Sequence, residues 1–123
     1  LSFEGDTGPY LQYTVVRANS VLQKTKKKPS LKNTNQLREK NEIGIIKTLS
    51  QFPDVVGSSL NEYKPHHIAN YLNRLASEFN EYYHTTKIIG SQQEIQRLSL
   101  VFSVATVIKT GLALLGIDVP EKM

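Results

Sequence analysis

The sequence has 123 residues, of which 39% are hydrophobic, and it carries 15 lysines and arginines against 11 aspartates and glutamates. This length is enough for one domain with its own core and too short for two comfortable ones, so we expect a single domain over residues 1–123. The absence of cysteine excludes a disulfide framework and any thiolate metal site, and the formal charge of +4 is a mild bias toward polyanions.

Nothing in the sequence predicts secretion or membrane insertion. There is no basic-then-apolar start, and the longest apolar run, near the C-terminus, is interrupted by Ser103, Thr106, Lys109 and Thr110. We therefore predict that no segment can span a membrane. Because the chain does not begin with Met and opens inside the approach to a helix, we expect a fragment of a longer chain. The lack of cysteine fits a reducing compartment, and we predict a cytoplasmic location.

The first predicted helix begins near Gly8-Pro9. Asp6 or Thr7 can cap it, and Pro9 suits its first turn, where a missing N–H has no helical partner in any case. Two stripes then follow at helical spacing. One consists of Leu11, Val15, Ala18 and Leu22, and the other of Tyr10, Thr14, Arg17 and Val21. We expect one stripe to face the core, which leaves the other available to a ligand.

A polar, basic loop follows over residues 24–41. Its lysines predict either a strap that neutralises phosphates whatever the base sequence, or a solvated linker. No aromatic residue alternates with these lysines to stack on bases, which favours the linker.

The rest of the chain has the periodicity of four more helices, separated by proline and glycine. The second includes Glu42 to Gln51 with Ile45, Ile46 and Leu49 inward; the third, after Pro53, carries Val56, Leu60 and Tyr63 at one face. The fourth, opened by Lys64-Pro65, has Ile68, Leu72, Leu75, Phe79 and Tyr82 at core spacing. The fifth spans roughly Gln92 to Leu115 and is predicted to be central, because it is apolar over much of its girth, at Ile95, Leu98, Val101, Phe102, Val104, Ala105, Ile108 and Leu112. Gly116 lies where a left-handed cap is expected. The prediction is an all-α bundle of about five helices.

The short motifs that could indicate catalysis or metal binding lack the neighbouring residues that such functions require. Asp6-Thr7-Gly8 matches the tripeptide of aspartic proteases, but it precedes a proline-started helix and lacks a second carboxylate in a β framework. The three histidines form no His-x-x-x-His pair that would place two imidazole ligands on one side of a helix. Ser58-Ser59 lacks a nearby base, and no phosphate-cradling loop occurs. We predict no catalytic residue, no metal and no cofactor in this chain.

One constellation fits nucleic-acid recognition. Tyr10, Thr14 and Arg17 on the first helix, with Tyr83 on the fourth, combine aromatic faces, a small side chain and a guanidinium. Such a group can act as a shelf for an unstacked base, with the cation reaching a phosphate or a base edge. The alternative is that both tyrosines are core-edge residues with buried rings and wet hydroxyls.

Several separated motifs resemble one family. EGDTGPYLQY, FPDVV, FNEYYHTTKI and RLSLVFSVATVIKTGLALLGIDVPEKM occur in the order found in the C-terminal anticodon-binding domain of arginyl-tRNA synthetases, which are class I aminoacyl-tRNA synthetases. The resemblance covers nearly the whole chain outside residues 24–41, a segment that does not align with the family.

The resemblance implies roles for particular residues. In the family, the positions that correspond to Tyr10, Thr14, Tyr83 and Met123 surround the anticodon-loop bases; position 14 is often alanine in relatives, so Thr14 adds a hydroxyl. Arg17 belongs to this predicted RNA-binding set because of its spacing on the first helix, and not because of the resemblance. The implied partners are the anticodon arm of tRNA(Arg) and the catalytic domain of the same chain, which would use ATP with magnesium to charge the tRNA with arginine.

The residues alone leave one other function open and argue against a second. A helical protein–protein interaction module could present its basic face to an acidic partner, and salt and sequence dependence of RNA binding would separate the two. A helix-turn-helix DNA reader needs a polar recognition helix, and the fifth helix is too apolar for that role, so we expect no DNA partner.

Overall fold

The computed structural model describes residues 7–123. Over these residues the chain forms five α-helices and one short 3-10 helix, with no β-strand among them. The α-helices are α1 (Thr7–Gln23), α2 (Lys40–Ser50), α3 (Phe52–Glu62), α4 (His66–Thr85) and α5 (Glu94–Leu114), and the 3-10 helix is Thr34–Gln36. The predicted all-α bundle is confirmed.

The first helix begins one residue before its predicted start. Thr7 is its first helical residue, and Pro9 lies in the first turn, as expected. Asp6, the other predicted cap, lies outside the described residues. Leu11, Val15 and Ala18 are buried, so this stripe faces the core as predicted.

The core lies where α1, α4 and α5 pack against one another. All five α4 residues predicted for the core are buried: Ile68, Leu72, Leu75, Phe79 and Tyr82. Gly111 of α5 lets the two long helices approach closely, because a Cβ there would lie 2.7 Å from Cδ2 of Leu72. The fifth helix also has an outer side that the sequence did not predict. Ile95 is 38% and Phe102 53% exposed, so these two apolar residues of the central helix lie outside the core.

The prediction that no segment could span a membrane was also wrong by length and composition. An 18-residue window of α5 has a mean hydropathy of 1.5. Despite its interrupting polar residues, the helix is long and apolar enough to cross a membrane, judged by length and composition only. In the folded domain 50% of that window is buried, and the helix packs against α1 and α4. Its place at the centre of the bundle accounts for its apolar composition.

The stripe predicted for α3 at Val56, Leu60 and Tyr63 lies one residue away from the face that packs inward. Leu60 is 63% and Tyr63 91% exposed, whereas Phe52 and Val55 pack against the core and Ser59 is buried. Two stripes compete because Val55 and Val56 are both apolar. The ring of Phe52 stacks on Tyr71 of α4 at 5.7 Å between centroids, and this contact selects the stripe that contains Val55.

A buried carboxylate joins α2, α4 and α5. Glu42, with a fully buried side chain, accepts hydrogen bonds from the hydroxyl of Tyr82 (2.6 Å) and from Nε of Arg97 (2.8 Å). Burial, followed by the hydrogen bond to Glu42, raises the pKa of Tyr82 well above its usual value, so the hydroxyl stays a donor. Glu42 takes an inward position on α2, while Ile46, predicted to be inward, is 40% exposed.

The C-terminal tail leaves α5 through the predicted left-handed cap. Gly116 has a φ of 79°, and the N–H of Ile117 donates to the carbonyl of Leu112 at 2.9 Å, the pattern of a Schellman motif. Ile117 and Val119 then pack against the core. The tail is therefore held against the bundle as it leaves the helix.

Candidate nucleic-acid interface

The packing of α1 beside α4 brings the first four predicted site residues together. Tyr10, Thr14 and Arg17 follow one side of α1, and the guanidinium carbon of Arg17 lies 4.5 Å from the ring centroid of Tyr83 on α4. Phe79 supports the ring of Tyr83 from the core, at 6.4 Å between centroids. The constellation predicted from sequence spacing is thus one contiguous group in space.

Asn80 connects the group and was not predicted. Its amide nitrogen donates to the hydroxyls of Tyr10 (3.1 Å) and Thr14 (3.0 Å), and its amide oxygen accepts from Nη1 of Arg17 (2.8 Å). Asn80 precedes Tyr83 by three residues and therefore shares its side of α4. This spacing to Tyr83 was visible in the sequence, but it indicates a role for Asn80 only once α1 is known to pack against that side of α4.

Arg17 lies between two aromatic rings. Its guanidinium carbon is 5.0 Å from the centroid of Tyr13, and Nη2 donates to the hydroxyl of Tyr13 at 3.3 Å. Tyr13 was also missed, although its i, i+4 spacing to Arg17 was visible in the sequence. A planar cation stacked on tyrosine is held in one orientation, and of its five N–H donors only two are used by these bonds to Asn80 and Tyr13.

The site residues differ in their access to solvent. Tyr10 is 39% and Tyr13 46% exposed, so part of each side chain is open to solvent. Thr14 is fully buried, and its hydroxyl donates to the carbonyl of Tyr10 at 2.9 Å while accepting from Asn80. The structure therefore places Thr14 beneath the surface, where it fixes its neighbours and offers no atom to a ligand.

Met123 stands apart from this hydrogen-bonded group. The tail is tied to α1 upstream of it, where the side-chain amide of Gln12 donates to the carbonyl of Asp118 at 2.7 Å. Met123 itself is 59% exposed. The tail is thus anchored on the same helix as Tyr10, and the thioether lies free at its end.

Groups with catalytic or metal-binding potential are few in the described part of the chain. Residues 7–123 contain no group of three or more His, Cys, Asp or Glu side chains that could hold a metal ion. The hydroxyl of Ser58 donates to Glu62, and that of Ser59 to the carbonyl of Lys64. We call the group formed by Tyr10, Tyr13, Arg17, Asn80 and Tyr83 the Tyr10–Tyr83 surface. It can bind a ligand by aromatic stacking and by hydrogen bonds from the guanidinium.

A helical bundle that presents tyrosine faces beside a fixed guanidinium has the features of an RNA-binding domain. The sequence profile of the DALR anticodon binding domain family matches residues 11–123, and the chain belongs to this family.

Similar proteins share the name arginine–tRNA ligase or arginyl-tRNA synthetase. The ligase of Halothermothrix orenii is 47% identical over 126 residues, which cover 100% of this chain and 22% of that protein. The Thermus thermophilus arginyl-tRNA synthetase structure is 38% identical, with a TM-score of 0.83 over 99% of this chain and 22% of its own. The Plasmodium falciparum enzyme is 27% identical, with a TM-score of 0.80 over 98% of this chain and 22% of its own. The chain thus spans about a fifth of these relatives.

Proposed function

We propose that this chain is the anticodon-arm-binding domain of an arginine–tRNA ligase and that its ligand is tRNA(Arg). Membership of the DALR family and the likeness to arginine–tRNA ligases support this function. The observation that carries it is the guanidinium of Arg17, stacked on Tyr83 beside the exposed rings of Tyr10 and Tyr13. Sequence-specific RNA recognition most often uses such faces for the splayed bases of loops.

Each site residue has a distinct role in this proposal. Tyr10 and Tyr83 stack on anticodon-loop bases, and Arg17 donates to a phosphate or a base edge. Thr14 acts indirectly, because it is buried and holds Tyr10 and Asn80 in place. Met123, an unbranched and polarizable side chain, adapts to the edge of the bound bases.

The parent enzyme would perform its chemistry elsewhere. Its catalytic domain, on the same cytoplasmic chain, would use ATP and magnesium to activate arginine and esterify it to the tRNA. This domain contributes remote binding energy, because holding the anticodon arm helps to position the acceptor end in the distant active site. The isolated chain should therefore show no ATP–pyrophosphate exchange above a mock preparation, and measurable exchange would contradict this division of labour.

The direct test is a titration of the chain with fluorescently labelled anticodon stem-loops. We expect the stem-loop of tRNA(Arg) to bind more tightly than one with a scrambled loop, and its affinity to fall as salt rises. An acidic peptide serves as the comparison for a protein-binding role. Equal affinity for the cognate and scrambled loops, or preference for the acidic peptide, would refute anticodon recognition.

A further inference from the structure

The positive charge of this chain is concentrated in one segment. Residues 24–40 contain seven lysines and arginines and one glutamate, a net charge of +6, whereas the whole chain has a net charge of +4. The remaining residues together are therefore at −2. Since a clustered basic segment attracts polyanions more than the same charge spread evenly, this segment is the main electrostatic feature of the domain.

The basic segment is fixed to the start of α5. Glu94, the first residue of that helix, accepts a hydrogen bond from the hydroxyl of Thr25 at 3.1 Å and forms an ion pair with Nζ of Lys27 at 3.7 Å. The backbone N–H of Gly90 also donates to Glu94, and it is the main cause that lowers the pKa of this carboxyl. This basic segment of residues 24–40, which we call the strap, is thus attached to the bundle at a defined point.

A second attachment lies further along the segment. The side-chain amide of Gln96 donates to the carbonyl of Lys32 at 3.2 Å, and Leu37 is buried in the core. Between and around these anchors, Lys24, Lys26 and Lys28 stay exposed. Their ammonium groups therefore project from a held backbone.

The fold supplies the aromatic residue that the basic segment lacks in sequence. Phe102 of α5 is 53% exposed, and it lines an open hollow of about 510 Å³ against the strap. The other residues that line this hollow are Leu22, Thr25, Lys27, Lys28 and Pro29. A flat apolar ring beside exposed ammonium groups is the combination that binds single-stranded nucleic acid, with bases on the ring and phosphates on the cations.

We propose that Phe102 and the lysines of residues 24–28 form a second RNA-contact surface, which binds a nucleotide of the same tRNA outside the Tyr10–Tyr83 site. This inference rests on the proposed function. Tyr10 and Leu22, which mark the two surfaces on α1, are twelve residues apart, or about 18 Å along the helix. One base cannot reach both surfaces, so the second surface contacts a different nucleotide of the RNA.

The test compares two variants with matched controls. In the first, Phe102→Ala removes the exposed ring; in the second, Lys26→Ser is combined with Lys28→Ser. The control for the ring is Tyr63→Ala, because Tyr63 is also exposed but belongs to the end of α3. The control for the charges is Lys47→Ser, which removes an exposed lysine from α2. Affinity for full-length tRNA(Arg) is measured by fluorescence anisotropy over a series of salt concentrations, and thermal melts verify folding.

We expect Phe102→Ala to weaken binding of the tRNA roughly tenfold, as for the removal of one base–aromatic stack. The lysine pair should flatten the slope of log affinity against log salt by about 0.7–0.9 for each phosphate that is no longer neutralised. The controls should match the parent. Placing the photocrosslinker p-benzoylphenylalanine at position 102 should yield an RNA adduct, while the same group at position 63 should not.

The outcomes separate this inference from the proposed function. If the Phe102 and lysine variants bind like the parent while Tyr10→Ala weakens binding, the second surface is refuted and the proposed function stands. If the parent does not bind tRNA(Arg) at all, the proposed function itself fails. If the lysine pair loses affinity for an acidic peptide but not for tRNA, the surface is a protein interface and the RNA inference is overturned.

Discussion

Replacing Arg17 with lysine tests the RNA site most sharply, because it keeps the charge and removes the planar fork. A lysine in this place cannot lie flat between the rings of Tyr13 and Tyr83. Its compact ammonium also lacks the planar fork with which Arg17 donates to both Asn80 and Tyr13. The variant therefore separates the shape of the cation from its charge.

The loss of stability follows from these contacts. A hydrogen bond to a charged group contributes roughly 1.5–3 kcal/mol when removed, and an exposed cation–π contact about 0.5–1 kcal/mol. Since Arg17 is only half-buried and lysine can retain part of each contact, we expect a net loss of about 1–2 kcal/mol in the free energy of unfolding. For a domain of this size that lowers the melting temperature by roughly 4–8 °C.

The effect on RNA binding should differ from that of losing a charge. We expect Arg17→Lys to weaken binding of the tRNA(Arg) stem-loop about tenfold, or about 1.4 kcal/mol, because the tyrosine rings lose their shared support. The slope of log affinity against log salt should stay unchanged, since the positive charge remains. Anisotropy titrations at several salt concentrations give both quantities from one set of samples.

Two further variants complete this comparison. Arg74→Lys changes an exposed arginine on the outer side of α4 and should match the parent in affinity and melting temperature. Arg17→Gln should weaken binding and also flatten the salt slope if the guanidinium contacts a phosphate. If Arg17→Lys binds as well as the parent while Arg17→Gln does not, only charge matters and the stacked guanidinium has no role in recognition.

The remaining predictions concern the tyrosines and the tail. Tyr10→Ala and Tyr83→Ala should each weaken stem-loop binding by about 1–3 kcal/mol; unchanged binding by folded variants would leave the rings a packing role alone. Met123→Ala, or a short Gly-Ser extension after it, should weaken binding with a nearly normal melt, with Met123→Leu intermediate, and equal affinities would make the terminus dispensable. The raised pKa of Tyr82 stabilises the fold below pH 10, and this stability is lost as the pH rises further, by up to about 1.4 kcal/mol per pH unit. In chemical unfolding, Tyr82→Phe should therefore reduce the fall of the unfolding free energy with alkaline pH. An unchanged pH dependence would contradict this role of Tyr82.

Periodicity predicted the fold wherever one stripe was clearly more apolar than its neighbours. The residues of α4 predicted for the core are all buried for this reason. In α3 the adjacent Val55 and Val56 left two stripes nearly equal, and a ring contact from another helix decided between them. In α5 apolar residues occur on every side, so Phe102 could be recognised as exposed only once the positions of the neighbouring helices were known.

The candidate site was predictable in most of its members, but not in Asn80 and Tyr13 or in the bonds that connect the group. Spacing placed Tyr10, Thr14 and Arg17 on one side of a helix, Tyr83 was predicted to join them from the fourth helix, and the family resemblance added Met123. Asn80 makes its three hydrogen bonds to residues of α1 that lie far from it in sequence, and no local pattern specifies such a partner. The same limit applies to the strap, whose anchor Glu94 lies far along the chain from the lysines.

The side chains of the candidate site are held in place before RNA binds, which favours affinity. A mobile arginine or tyrosine must be ordered when RNA binds, which costs roughly 0.5–1.5 kcal/mol for each immobilised side chain. Here Asn80, Thr14 and the stacked rings already restrict Arg17 and Tyr10 before any ligand arrives. That cost is met during folding, so RNA binding and the stability of the α1–α4 contact are coupled. Thr14 shows the coupling most clearly: it is fully buried, and any influence it has on RNA must pass through the residues that it holds.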